Sequence, residues 1–171
     1  MAVYVSDLLK LKNFSGTKLI AGKQGMKNQI SWPYVCAAFP ITPWIKGGEL
    51  LFVAASDIET TVLKDEDFWQ ECVDMRIAAV VALTGSREAE ALASAAGFKA
   101  NSAGIPLFAM PWEVNLVAVT QEITYLIIDR NTADEKSRHF LENLLFSPAG
   151  QSGSVEELAQ FYDITVFPVH F

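Results

Sequence analysis

Three short runs constrain this chain most. Leu50–Ala55, Ala78–Leu83 and Ile105–Met110 are apolar at every position rather than at alternate ones. A strand with one wet face alternates, whereas a strand covered on both faces reads as a continuous apolar run. Gly47-Gly48 precede the first run, Thr84-Gly85 close the second, and Gly104 and Pro106 bracket the start of the third, which Pro111-Trp112-Glu113 end. Between the first two runs, Asp65 opens an acidic first turn. Phe68, Trp69, Cys72, Val73 and Met75 follow at helical spacing, predicting a helix that ends near Arg76. Between the second and third, Ser86 can cap an alanine-rich helix reaching about Ala96, with Gly97 as its stop or kink. Strand, helix, strand, helix, strand predicts an α/β fold. Its mostly parallel sheet is covered by helices and joined by right-handed crossovers.

The flanks are read the same way. Ser6–Leu11 predicts a short helix with Ser6 as N-cap, and Thr17–Ala21 a short strand closed by Gly22 and Gly25. Ile30, Trp32, Tyr34 and Cys36 alternate as in a strand, and Pro33 favours an edge position. From Asn115, residues Leu116, Val119, Ile123, Leu126, Arg130, Ala133, Ser137, Phe140 and Leu144 step by three and four. One long linker helix, or two joined near Asn131, fits this spacing. From Asn115 to Phe146 one helix would be about 48 Å long. A protruding apolar seam of that length needs a partner. It predicts a homodimer, with contact through Leu116, Val119, Ile123, Leu126, Phe140 and Leu144, or docking onto another domain. Ser147–Ser154 is linker-like. Val155–Tyr162 predicts a short helix and Ile164–Phe171 a strand without a nearby partner, as expected of the truncated start of a further domain. The expected division is therefore 1–114, 115–146 and 147–171.

Charge and cysteine usage exclude several functions. The net charge is −7, and neither half offers a basic face or a helix-turn-helix signal, so DNA contact is not expected from these residues. Cys36 and Cys72 are far apart in apolar settings and fit small buried residues rather than a disulfide framework. His139 and His170 have no ligand-spaced partner, so no metal, cofactor or catalytic residue is expected. No P-loop and no Gly-x-Ser-x-Gly is present. The longest apolar run, Ile77–Leu83, is far short of the ~20 residues of a membrane helix, and the N-terminus has no signal core. An acidic protein of the cytoplasm is the expectation.

Three features occur in order: Gly22-x-x-Gly25 followed by Ile30-x-Trp32-x-x-Val35; Pro40, then Trp44-Ile45-Lys46-Gly47-Gly48-Glu49-Leu50-Leu51; and Gly104-Ile105-Pro106-Leu107-Phe108 with Pro111-Trp112. Together they resemble the N-terminal domain of PucR-family transcriptional regulators, named for purine catabolism. Residues 6–130 carry the likeness. The stretches 140–145 and 155–159 look like the start of the family's middle, GGDEF-like domain. One departure is that Thr-Thr-Gly, which often follows the Glu-Leu strand in the family, is replaced here by Ala54-Ala55-Ser56-Asp57. The resemblance implies a non-enzymatic, ligand-sensing and dimerising regulatory module. Its effector would be a purine-pathway metabolite, and DNA would be reached only through a separate C-terminal domain. The first two apolar runs also resemble the N-terminal domain of Mur ligases, which implies a shared fold or, alternatively, a uridine-nucleotide-binding role. A purely structural dimerisation domain is a third reading.

The candidate ligand residues are Trp44, Gly47, Gly48, Glu49, Ser56, Asp57, Thr84, Gly85 and Trp112. Gly47 and Gly48 fit either a positive-φ turn or a backbone donor site for an anion. Glu49 is either a locally paired carboxylate or a ligand anchor. Trp32, Trp44 and Trp112 are core or interface residues, or an aromatic platform for a flat ligand. Ser56, Asp57, Thr84 and Gly85 follow the carboxyl ends of two parallel strands, where open α/β sheets usually bind ligands.

Overall fold

The computed structural model describes residues 2–36, 39–54, 62–85, 91 and 93–146, the side chains of 54 and 139–146 excepted. The chain divides into two units, Met1–Asn131 and Thr132–Phe171. The described strands are β1 (Val3–Tyr4), β2 (Lys18–Ala21), β3 (Gln29–Ile30), β4 (Pro33–Cys36), β5 (Leu50–Ala54), β6 (Ala79–Thr84) and β7 (Leu107–Pro111). The helices are α1 (Glu66–Asp74), α2 (Gly97–Ala103) and α3 (Leu116–Phe146), with 3-10 turns at Val5–Lys10, Lys12–Phe14 and Lys23–Lys27.

The main sheet has the order β2-β7-β6-β5-β4. Its last four strands run parallel, with Leu50 opposite Ala79 and Val80 opposite Leu107. β2 closes the far edge antiparallel to β7. The expected α/β class and its three apolar strands are thus found. Side chains alternate between two dry faces. Leu51, Val53, Val80, Ala82 and Leu107 pack with Phe68, Trp69 and Cys72 of α1 and Ala100 of α2. Leu50, Phe52, Val81, Phe108 and Met110 pack with Val5, Leu8 and Phe14 from the N-terminus and with α3.

The stretch from Ile30 to Cys36 breaks at Ser31-Trp32. Its first part pairs with β1 in a small second sheet, and its second part becomes edge strand β4 with Pro33 as first residue. Ser6 does not cap the first turn. The turn begins at Val5, and Asp7 turns back to accept the Tyr4 N–H at 3.1 Å. Asp65 caps α1 as expected, accepting from the Asp67 N–H. Ser86 lies outside the described residues; the described helical residues 91 and 93–95 end at a turn on Ala96, and Gly97 opens α2, the break expected there.

The largest revision concerns α3. It is one helix, continuous through Asn131. Val119, Ile123 and Ile127 lie buried against the sheet, and Leu116 and Leu126 are half-buried beside them. Val119 and Ile123, expected to join two copies, instead cover this chain's own second face. That face is apolar along four strands and needs a helix to exclude water. The core therefore continues past residue 114 into the helix, and the first unit ends at Asn131. Phe140 and Leu144 side chains, and residues 147–171 with the expected start of a further domain, lie outside the described residues. Truncating Ile123 to alanine should cost about 2–4 kcal/mol in urea unfolding and leave the sedimentation coefficient unchanged. A neutral effect on stability would return this residue to an intermolecular role.

The N-terminus is tied to α3 by charge. Arg130 Nη1 donates to Asp7 Oδ2 at 2.8 Å and to the Ala2 carbonyl at 2.9 Å. Lys10 Nζ donates to Asp7 Oδ1 at 3.0 Å. Glu122 accepts the Lys12 and Asn13 backbone N–H groups at 3.0 and 2.9 Å. Burial pushes the Asp7 carboxyl up, but the hydrogen bonds from Arg130, Lys10 and Tyr4 outweigh it and hold the pKa at about 2. A carboxylate depressed from its ordinary 3.8 stabilises the fold above that value and loses the contribution as pH falls towards 2. Asp7→Asn should therefore lower the melting temperature at pH 6 and flatten the loss of stability between about pH 4 and pH 2. An unaltered acid limb would mean that Asp7 is not coupled to folding.

Candidate functional site

A cleft of about 800 Å³ opens at the amino-terminal edge of the parallel sheet. Three connections build it, each just ahead of a strand: Ser31 before β4, Lys46-Gly47-Gly48 before β5, and Asp74-Met75-Arg76 before β6. Gly104-Ile105, ahead of β7, completes the wall.

The Gly47-Gly48 turn is held entirely by this chain. Both glycines have positive φ, 113° and 78°. Gly48 donates to the Arg76 carbonyl at 3.1 Å, and its own carbonyl accepts from the Ser31 N–H at 2.8 Å. Glu49 is buried and folds its carboxylate back. Oε1 accepts from the Lys46 N–H at 2.7 Å and Oε2 from the Gly47 N–H at 2.8 Å. The donors of both glycines and the Glu49 carboxylate are thus committed to the turn, which favours the structural reading of all three. The glycines are required because a Cβ strains a left-handed backbone.

α1 and α2 reach the cleft by the same C-terminal device. In α1 the Arg76 N–H bonds the Val73 carbonyl at 2.9 Å and the Ile77 N–H bonds the Cys72 carbonyl at 2.9 Å. In α2 the Gly104 N–H bonds the Asn101 carbonyl at 3.2 Å and the Ile105 N–H bonds the Ala100 carbonyl at 3.1 Å. This is a Schellman ending, whose penultimate position must be left-handed. Gly104 takes it at φ 71° and Arg76 at φ 53°. For an L-residue with a side chain that conformation costs roughly 1–2 kcal/mol.

The expected ligand residues do not form one site. Gly47, Gly48 and Glu49 lie at the amino-terminal edge, ahead of β5. Thr84 and Gly85 follow β6, and Trp112 follows β7, at the opposite edge. The six residues of β6 hold the two groups about 20 Å apart. At the carboxyl edge the Trp112 N–H bonds the Thr84 carbonyl at 3.2 Å, the Thr84 hydroxyl donates to the Met110 carbonyl at 3.2 Å, and a Cβ on Gly85 would lie 3.5 Å from the Trp112 side chain. Ser56 and Asp57 lie outside the described residues. The three tryptophans cannot make one platform, because Trp32 precedes β4 while Trp112 follows β7, at opposite edges and three strand spacings away. Trp44 is 65% exposed between buried Ile41 and Ile45.

Sequence reasoning missed Ser31, Asp74, Met75 and Arg76. A signal existed: Arg76-Ile77 and Gly104-Ile105 occupy the same place before successive strands, so the absence of glycine at 76 is informative. Cys72 also borders the cleft, but burial, then Glu71 and Cys36 nearby, push its thiol well above the usual range, and it stays protonated. Among the described residues no cluster of His, Cys, Asp and Glu could hold a metal ion.

A four-stranded parallel sheet with one antiparallel edge, helices on both faces and an open cleft defines an α/β domain. The family model for the purine catabolism regulatory protein-like family matches residues 7–127. The chain belongs to that family. The match runs from Asp7, held by Arg130, to Ile127, the last core residue of α3. No curated protein sequence matches the chain.

Replacing Glu49 by alanine removes the acceptor for two backbone donors and should cost about 1–3 kcal/mol in chemical denaturation; Glu49→Gln, which keeps one acceptor, should cost less. Unchanged stability in Glu49→Ala would release this carboxylate for a ligand.

Proposed function

We propose that this chain is the effector-sensing regulatory part of a transcription regulator in the purine catabolism regulatory family. A small purine-pathway metabolite enters the cleft at the amino ends of β4 to β7 and binds without turnover. The observation that carries this reading is the linkage of the cleft to α3. Asn28, Gln29 and Ser31 border the cleft. Gln29 and Ile30 form β3, which pairs with β1 at Tyr4 and Val3. The Val5 N–H bonds the Asn28 carbonyl at 3.0 Å, and Asp7, three residues after Tyr4, is bound by Arg130 of α3. An effector that draws this wall inward therefore acts on a short hydrogen-bonded path ending on the helix.

Binding becomes a signal only if the effector favours one arrangement over another. α3 carries that preference to a homodimer and to DNA-binding machinery elsewhere in the protein. With Val119 and Ile123 inside the core, contact between copies falls to the outer face of α3, where Val117 and Tyr125 are 63% and 70% exposed. A cytoplasmic setting accords with this role. Among the described residues no helix is long and apolar enough to cross a membrane.

A thermal-shift screen with purines, their degradation products and uridine nucleotides tests the reading. An effector at a hundred times its Kd adds ~2.7 kcal/mol, or roughly 5–10 °C for a chain of this size. Silence towards every purine-pathway compound, with melting that still depends on protein concentration, would leave a dimerisation domain. A shift with uridine nucleotides alone would favour a Mur-ligase-like role.

A further inference from the structure

The two Schellman endings differ in one telling way. α2 fills its left-handed position with Gly104, which adopts it without strain, and α1 fills the equivalent position with Arg76. The arginine side chain is not retained for an internal contact. Among the described residues the Arg76 guanidinium makes no hydrogen bond or ion pair, and the Lys46 ammonium makes none either. Both border the same cleft. A strained, non-glycine backbone position at a cleft, whose side chain has no partner among the described residues, points to a partner from outside.

The charges around the cleft define what that partner is. Lys46 and Arg76 supply two positive charges, and Asp74 on the same rim supplies one negative charge. Its carboxylate also accepts from Gln70 at 2.9 Å. The ends of α1 and α2 add the negative poles of two helices, each roughly half a charge before screening. These sum to near zero, and the Glu49 carboxylate folded behind the same turn adds one further negative charge, which disfavours a phosphate dianion. The backbone donors at Gly47 and Gly48 are already used, so only side chains can hold an anionic group. The Schellman bonds use the carbonyls of Cys72 and Val73. Those of Asp74 and Met75 have no bond from the turn, and they want N–H donors.

We propose that Arg76 and Lys46 bind the carboxylate of a small monoanionic acid whose N–H groups, amino or ureido, face Asp74 and the carbonyl end of α1. This rests on the reading of the cleft as the effector site and narrows its ligand.

The experiment is a ¹H–¹⁵N NMR titration of the 171-residue chain, following the amides of Gly47, Gly48, Arg76 and Ile77. The probes are N-carbamoylglycine, glycine, acetate, urea, inorganic phosphate and hypoxanthine. Saturable shifts with N-carbamoylglycine or glycine, at least tenfold tighter than with acetate, urea or phosphate, are expected. A preference for the first identifies a ureido acid and for the second an amino acid. Arg76→Gly should weaken binding at least tenfold while its melting temperature stays level or rises, because glycine relieves the left-handed strain. Lys46→Met, away from that turn, should weaken binding without altering the melting temperature. The inference is overturned if Arg76→Gly and Lys46→Met bind the acid as tightly as the parent, if Arg76→Gly loses several degrees of melting temperature, or if phosphate binds as well as the acid. Saturation by hypoxanthine, equal in parent and variants, would leave the effector reading standing and sink the acid site. Immobile cleft amides with every probe would remove both.

Discussion

Burial of β5, β6 and β7 on both faces is the constraint on which everything else depends. Leu51, Val53 and Val80 point one way, Leu50, Phe52 and Val81 the other, and neither set is wetted. Each face must therefore be roofed, and the chain has one apolar set for each. α1 and α2 roof the first. The N-terminal 3-10 turns and the opening turns of α3 roof the second. Strands joined in parallel also send every connection from one end of the sheet to the other. The loops that precede the strands gather at one edge and those that follow them at the opposite edge.

That separation decides the chemistry at each end. At the amino-terminal edge the connections are short and tightly bonded. Glu49 ties down its own loop, Gly48 is bonded to Arg76, and Ser31 is bonded to Gly48. A rim whose backbone groups are already paired leaves side chains to line the cleft, here Lys46, Asp74 and Arg76. The β1–β3 pair links that wall to Asp7, and Asp7 is linked to Arg130.

α3 serves two masters along its length. Its first turns belong to the core through Val119, Ile123 and Ile127, spaced by four. From Asn131 to Arg138 its side chains are exposed. The family match ends at Ile127, the last residue of the helix buried in the core. The last core-facing residue and the Arg130 bond sit within one turn of the division between the two units.

The sequence by itself determined the local elements. The uniform runs at Leu50, Ala78 and Ile105 read as doubly buried strands, Asp65 marked the start of α1, and Pro33 marked an edge, because these depend on side-chain period and backbone restriction within a few residues. The motif around Trp44–Glu49 was also legible, and so was the family. Tertiary structure alone decided which partner each surface meets. The step of three and four from Leu116 is the same whether a helix covers its own sheet or a second copy, and only the bare second face of this sheet assigns it. Glu49 reads equally as an anchor or a loop tie until the Lys46 and Gly47 N–H groups are seen in reach. Thr84 and Glu49 look like neighbours in a site until strand direction sets them at opposite edges. Arg76 carries no mark of a left-handed backbone in its own residue type; only its correspondence with Gly104 ahead of the next strand hints at it, because the turn that delivers α1 into β6 imposes that conformation.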